Sequence, residues 1–169
     1  MKKYFLLILL TSAFTFITVH AGGNTELKWR KFNAGLSEAK KTKKKIFVDV
    51  YTDWCKWCKK LDAEVYSDQK VVDYINKYYI PVKMNGESSD SVHFKNQSFT
   101  EATLSQAFGV SGFPTLIFLA SNGEPIDKIG SFLPKDQFLQ VAEFIGEDYY
   151  KNKKWDDFIK QKGTPESKK

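Results

Sequence analysis

Hydrophobic positions change period along the chain, and each period predicts an element. Residues 46–51 (Ile-Phe-Val-Asp-Val-Tyr) are a run of β-branched and aromatic side chains broken only by Asp49, the mark of a strand covered on both faces. Leu61 and Val65, four apart, predict a helix from about residue 55 to 66. Val71, Val72, Ile75 and Tyr79 predict another, capped by Ser67. Residues 80–84 read as a short strand with Pro81 at its start, where a missing N–H is tolerated. Residues 86–98 are polar and aperiodic, which predicts a loop; Val92, His93 and Phe94 within it leave open a lid or simple packing. A helix over 100–108 stops at Gly109, a strand follows over 115–120, and a turn at 121–124 returns it over 125–129. Pro134 opens a last amphipathic helix with Phe138, Val141, Ala142 and Ile145 inward. Upstream, residues 27–32 predict a first strand and Asn33 caps a helix over 34–41. The order β-α-β-α-α-β-α-β-β-α predicts an α/β protein with a central mixed sheet flanked by helices on both faces.

The ends of the chain read differently from this middle. Met1-Lys2-Lys3 followed by a largely apolar stretch over 4–19 and Val19-His20-Ala21 has the pattern of a secretory signal over residues 1–21. Its sixteen apolar-stretch residues, interrupted by Thr11, Ser12, Thr15 and Thr18, fall short of the ~20 that a membrane span requires. The expectation is an exported, periplasmic or otherwise extracytoplasmic chain with no membrane span after cleavage, in a compartment where disulfides persist. Of the formal charge of +6, two lysines leave with that signal. The tail over 151–169 holds seven Lys against Asp156, Asp157 and Glu166; it is expected to be partly helical, with Trp155, Phe158 and Ile159 covering a core edge, and then disordered. Residues 22–150 carry 17 basic and 17 acidic side chains, so the domain is neutral and bulk charge argues against a nucleic-acid partner. The lysines at 40, 41, 43, 44 and 45 read as the solvated end of a helix. The whole chain is 42% hydrophobic and 15% aromatic, which is enough for one globular domain, placed over 22–150 and expected to be monomeric.

Only two cysteines, Cys55 and Cys58, are present, which excludes a disulfide-stapled scaffold and a four-cysteine zinc site. After loss of the leader His93 is the only histidine, so no metal centre is expected. Their spacing closes a small ring that can open and close again. Cys55, at the start of a helix beside Lys56 and Lys59, has its thiolate favoured by unpaired N–H groups and by the helix dipole, which makes it the nucleophile. Cys58, one turn further in, would resolve the mixed disulfide. An inert structural disulfide is the rival reading, but so small a ring removes little chain entropy.

Several spaced motifs carry a family resemblance: Val48-Asp49-Val50-Tyr51-Thr52-Asp53-Trp54-Cys55-x-x-Cys58-Lys59, Val82-Lys83-Met84-Asn85, Gly112-Phe113-Pro114-Thr115 and Lys128-Ile129-Gly130. Over about residues 27–150 the chain resembles the thioredoxin-fold superfamily, and most the exported thioredoxin-like proteins related to the periplasmic C-terminal domain of DsbD-type thiol:disulfide interchange proteins. The resemblance implies the thioredoxin fold, a buried Asp49 that moves the proton of the resolving thiol, Lys83 as its neighbour, and Pro114 as a cis-proline facing the cysteines. It also implies a substrate groove framed by Trp54, Lys56, Trp57, Phe113, Pro114 and Gly130. Burial of an acid within a strand raises its pKa, which suits a base for Cys58. Lys56-Trp57 stands where thioredoxin has Gly-Pro, so potential and groove shape do not carry over.

The function expected is exchange of disulfides with protein substrates through Cys55 and Cys58, leaning towards reductant. It needs no cofactor besides the cysteine pair, and a membrane electron-donor protein would supply reducing equivalents. Within that class the alternatives are oxidase and isomerase; outside it, a non-catalytic module that holds clients or a soft metal.

Overall fold

The computed structural model describes residues 26–163; the signal expected over 1–21 and the end of the lysine-rich tail lie outside the described residues. Six helices and six strands follow in the order α1 (Phe32–Thr42), β1 (Lys45–Tyr51), α2 (Lys56–Glu64), α3 (Gln69–Tyr78), β2 (Tyr79–Asn85), β3 (Ser91–Phe94), β4 (Gln97–Thr100), α4 (Glu101–Ala107), β5 (Thr115–Leu119), β6 (Pro125–Ile129), α5 (Lys135–Gly146) and, after a 3₁₀ turn at Tyr149–Lys151, α6 (Trp155–Lys162). The central sheet runs β2-β1-β5-β6, with β1 and β2 parallel and the other neighbours antiparallel. This is the mixed, helix-flanked α/β sheet that the hydrophobic pattern predicts.

Alternation along β1 builds the two cores. Phe47 points to one face with Leu116 and Phe118, and packs on Leu61, Val65, Val71, Ile75, Phe138 and Ile145 of α2, α3 and α5 and the turn after α2. Ile46, Val48 and Val50 point to the other, with Phe32, Leu36 and Ala39 of α1 and Leu104 of α4. Asp49 is two residues from Phe47 and belongs to the α2 side. In the β1–β2 register it stands opposite Lys83.

Four local expectations are corrected. No strand forms over 27–32: a single bridge, Arg30 to Val82, lies on the edge of β2, because α1 already starts at Phe32 and Leu27 turns its side chain into the core. Asn33 does not cap α1, whose N-cap is Lys31 without a side-chain bond; its amide instead donates to His93 O at 2.6 Å and accepts from His93 N at 3.0 Å. Asp68, not Ser67, caps α3 by accepting from the N–H groups of Lys70 and Val71, while the Ser67 hydroxyl turns back to Ala63 O at 2.7 Å. Residues 86–98 hold a β-hairpin rather than a loop throughout. Lys95 and Asn96 turn it with φ of 48° and 64°, the positive angles of a two-residue hairpin turn. Within 91–98 only Val92 and Phe94 alternate inward, too short an apolar signal to read among the polar residues around them. They pack rather than form a lid: Val92 is buried with α1 and α4, and Phe94 lies 5.7 Å from Phe32 and 5.3 Å from Phe108, ring to ring.

Candidate active site

Cys55 is the N-cap residue of α2, and its sulfur accepts the Cys58 N–H at 3.1 Å. The buried strand β1 delivers the chain to this point, and the turn through Thr52 is closed by Cys55 N–H donating to Thr52 O at 3.2 Å. Cys55 and Cys58 are joined as a disulfide with Cα atoms 5.3 Å apart. Both are almost buried, while the flanking Trp54 and Trp57 are 64% and 55% exposed. The pair therefore sits just beneath a surface of aromatic rings that face solvent.

Two aromatic pairs frame that surface. The Trp54 indole donates to Glu87 at 2.9 Å and its ring meets Phe113 edge-on with centroids 6.0 Å apart. Phe113 in turn lies where a Cβ on Gly86 would stand 2.3 Å from its ring, so only glycine fits there. The Phe113–Pro114 peptide is cis, and Thr115 Oγ1 donates to Gly112 O at 2.7 Å, holding the turn that leads into β5. Trp57 lies 5.3 Å from Phe132, with Lys60 Nζ 5.2 Å from both ring centroids. Between them runs a groove of about 370 Å³ lined by Trp57, Phe113, Pro114, Gly130, Ser131 and Phe132.

Of the expected groove residues, Trp57, Phe113, Pro114 and Gly130 line it, Trp54 braces Phe113 beside it, and Lys56 is an exposed side chain on the first turn of α2. The structure adds Phe132, Ser131 and Glu87. Nothing in the sequence marks Glu87 or Phe132, since a loop glutamate and a phenylalanine after a strand are unremarkable until the fold brings them to the cysteines.

On β1, Asp49 has no exposed surface, and neither of its oxygens has a hydrogen bond among the described residues. Burial pushes its carboxyl up to about 7, against the opposing pull of Lys83, with the charge of Asp62 adding to the rise and Tyr66 favouring the ionised form. Lys83 Nζ is 3.8 Å from Asp49 but 2.5 Å from Asp62, so the ammonium is shared and lies closer to the outer carboxylate. The rings of Trp29 and Tyr51 hold it from two sides, 5.2 and 5.1 Å from Nζ. Asp49 and Lys83 are thus brought together. Asp62 stands four residues after Cys58 on α2, on the same helix face, and joins them as the outer carboxylate.

The described residues include no group of three or more His, Cys, Asp or Glu side chains arranged to hold a metal ion, and no helix long and apolar enough to cross a membrane.

Comparison with known proteins agrees with this geometry. Residues 32–146 match the family described as "Thioredoxin-like domain". A thiol:disulfide interchange protein DsbD from Yersinia pestis (strain Pestoides F) is 30% identical over 100 residues, covering 57% of this chain and 15% of that protein. The chain thus corresponds to a small part of the curated relatives it matches. Among solved structures, a putative disulphide-isomerase from Bacteroides thetaiotaomicron superposes with a TM-score of 0.57 at 28% identity, covering 71% of this chain and 93% of that one. A thioredoxin-fold protein from Helicobacter pylori superposes with a TM-score of 0.60 at 24% identity, covering 72% and 80%.

Proposed function

The chain belongs to the thioredoxin-like domain family, and from that premise we propose that it is an exported thiol:disulfide oxidoreductase acting on protein disulfides, working as a reductant. The observation that carries the reading is the Cys55–Cys58 disulfide with Cys55 at the N-cap of α2, beneath an exposed aromatic surface. In the reduced protein the N-terminal N–H groups of α2 favour the Cys55 thiolate over that of Cys58. Cys55 attacks a substrate sulfur, the substrate disulfide breaks, and a mixed disulfide forms. Cys58 then attacks Cys55, restoring the internal disulfide and releasing the reduced substrate. Ionised Asp49, whose carboxyl burial pushes up to about 7 and whose charge Lys83 steadies before the transfer, takes the Cys58 proton and becomes the neutral acid.

The electrons reside on the two sulfurs, so the reading calls for no other redox group. In an oxidising compartment the pair must be re-reduced by a dithiol donor. A membrane protein with such a dithiol is the proposed partner.

Dithiothreitol-driven reduction of insulin tests the enzyme reading. The wild-type protein is expected to accelerate precipitation of the insulin B chain and Cys55→Ser to lose that acceleration; equal rates for the two proteins would sink it.

A further inference from the structure

The groove beside the disulfide is more aromatic than the exchange chemistry requires. Trp57 stands between the cysteines and is 55% exposed, yet its position is fixed by Phe132 on one side and by Lys60 Nζ, which sits 5.2 Å from the centroids of both rings. Phe113 is fixed as firmly, by Trp54 and by its close approach to Gly86. Rings held in place while exposed form a preorganised contact surface that has not yet been covered. The volume, about 370 Å³, lies at the small end of the roughly 300–1,000 Å³ of ligand pockets. It suits one large side chain with its backbone rather than a cofactor. Ser131 supplies the only side-chain hydroxyl of the lining and no charged side chain enters it. Charge is placed instead on the flank: Lys56 and Lys59 are exposed on α2, Lys60 is exposed but lies 3.7 Å from Glu64, and the exposed carboxylates nearby are Asp53 and Glu87, the latter accepting from the Trp54 indole.

We infer that this groove selects protein disulfides whose attacked cysteine lies next to a bulky apolar residue with a carboxylate beside it. The inference rests on the exchange reading above and names the substrate class for that site. When the Cys55 thiolate attacks, the substrate S–S bond breaks and its second sulfur leaves as a thiolate that takes a proton from solvent. The mixed disulfide holds the substrate cysteine at Cys55, so the residue next to it falls over Trp57 and Phe132. Cys58 then displaces the substrate cysteine; two electrons have passed from the dithiol to the substrate, and a dithiol reductant restores the pair. An apolar side chain in the groove leaves water at the moment the mixed disulfide forms, and an acidic neighbour meets the lysines of α2.

The test uses pre-reduced protein in single turnovers against four disulfide-linked peptide dimers that differ only beside the cysteine, as Phe-Glu, Phe-Lys, Ser-Glu and Ser-Lys. Hydroxyethyl disulfide, which has no flanking residue, serves as the reference. Partial burial of the ring makes the Phe peptides roughly tenfold faster than the Ser peptides. Glu peptides are expected to be about two- to threefold faster than Lys peptides in low salt, with the difference fading at high salt. In Phe132→Ser the ratio of Phe to Ser rates falls towards one, a ratio taken within one protein and so independent of its active fraction. Equal rates for Phe and Ser peptides in the wild type, with hydroxyethyl disulfide still reduced, would overturn the groove assignment and leave the exchange reading standing. A preference for Lys over Glu would overturn the charge assignment. Reduction of none of the five disulfides would overturn the exchange reading itself.

Discussion

Asp49 illustrates how little a side chain's identity says before its surroundings are known. In water its carboxyl would be ionised at neutral pH. On β1, fully buried and with no hydrogen bond to its oxygens among the described residues, its carboxyl is pushed up to about 7 because desolvation outweighs the attraction of Lys83. The unfolded chain loses this proton near the ordinary Asp value, the native protein only near 7, so between these pH values the native state binds more protons. Stability from this group is therefore complete at acid pH and is lost as the pH rises towards 7. A shift of this size corresponds to at most about 4 kcal/mol. Asp49→Asn removes the slope, so urea denaturation should show the variant gaining on the wild type by a few kcal/mol, of order 2–4, between pH 4.5 and pH 8. An unchanged difference across that range would mean that Asp49 is ionised throughout. The buried acid was legible as a residue, because a charged position inside an apolar run invites a role, and its lysine was legible through the family resemblance. Asp62, which draws Lys83 away from Asp49, was not, since in the sequence a helical aspartate looks like any other solvated charge.

Elements meet here through a few close approaches. Gly35 lies in the middle of α1, where glycine costs roughly 0.5–1 kcal/mol relative to alanine. The structure supplies the reason: a Cβ there would stand 2.3 Å from Val82 Cγ2, so the missing side chain lets α1 lie directly on β2. Gly35→Ala should therefore destabilise the fold by about 1–3 kcal/mol despite its better helix propensity, measured as a lower midpoint in chemical denaturation. A gain in stability would show that α1 can shift without loss. The lysines at the end of α1 divide by the same logic. Lys40 and Lys41 are exposed in its last turn, as expected, whereas Lys44 donates to Asn76 O at 2.6 Å near the C-terminus of α3, and Lys45 to Gly146 O at 3.0 Å at that of α5. Both satisfy carbonyls at the negative ends of helix dipoles. The hairpin β3–β4 is clipped to α1 by the paired hydrogen bonds of Asn33 to the His93 backbone. That role belongs to contact 60 residues away, and local capping rules had assigned the same asparagine elsewhere.

At the scale of the molecule, α6 closes the far side of the core. Phe158 is 1% exposed, with its ring 5.2 Å from Phe144 and 5.0 Å from Tyr149. The spacing of Trp155, Phe158 and Ile159 had pointed to such a cover. The direction of electron flow is also a property of the whole, because it depends on the stability of the reduced protein against the oxidised one. Equilibration of the Cys55–Cys58 pair with glutathione buffers should give a reducing potential, more negative than about −200 mV; a value of about −120 mV would make the protein an oxidant. The family resemblance supplied Lys83 as neighbour of Asp49; read alone, the chain carried the order of the main elements, the sheet class, the close cysteine pair and the lone acid in β1. Each of these is a local period, a short spacing or a lone charge in an apolar run, and local patterns survive in one dimension. The partition of Lys83 between two carboxylates, the clasp of Asn33, the hairpin and the groove of Trp57 and Phe132 join residues distant in sequence. Only the closing of the sheet and the packing of helices on it bring those side chains within reach of one another, so tertiary structure alone could decide them.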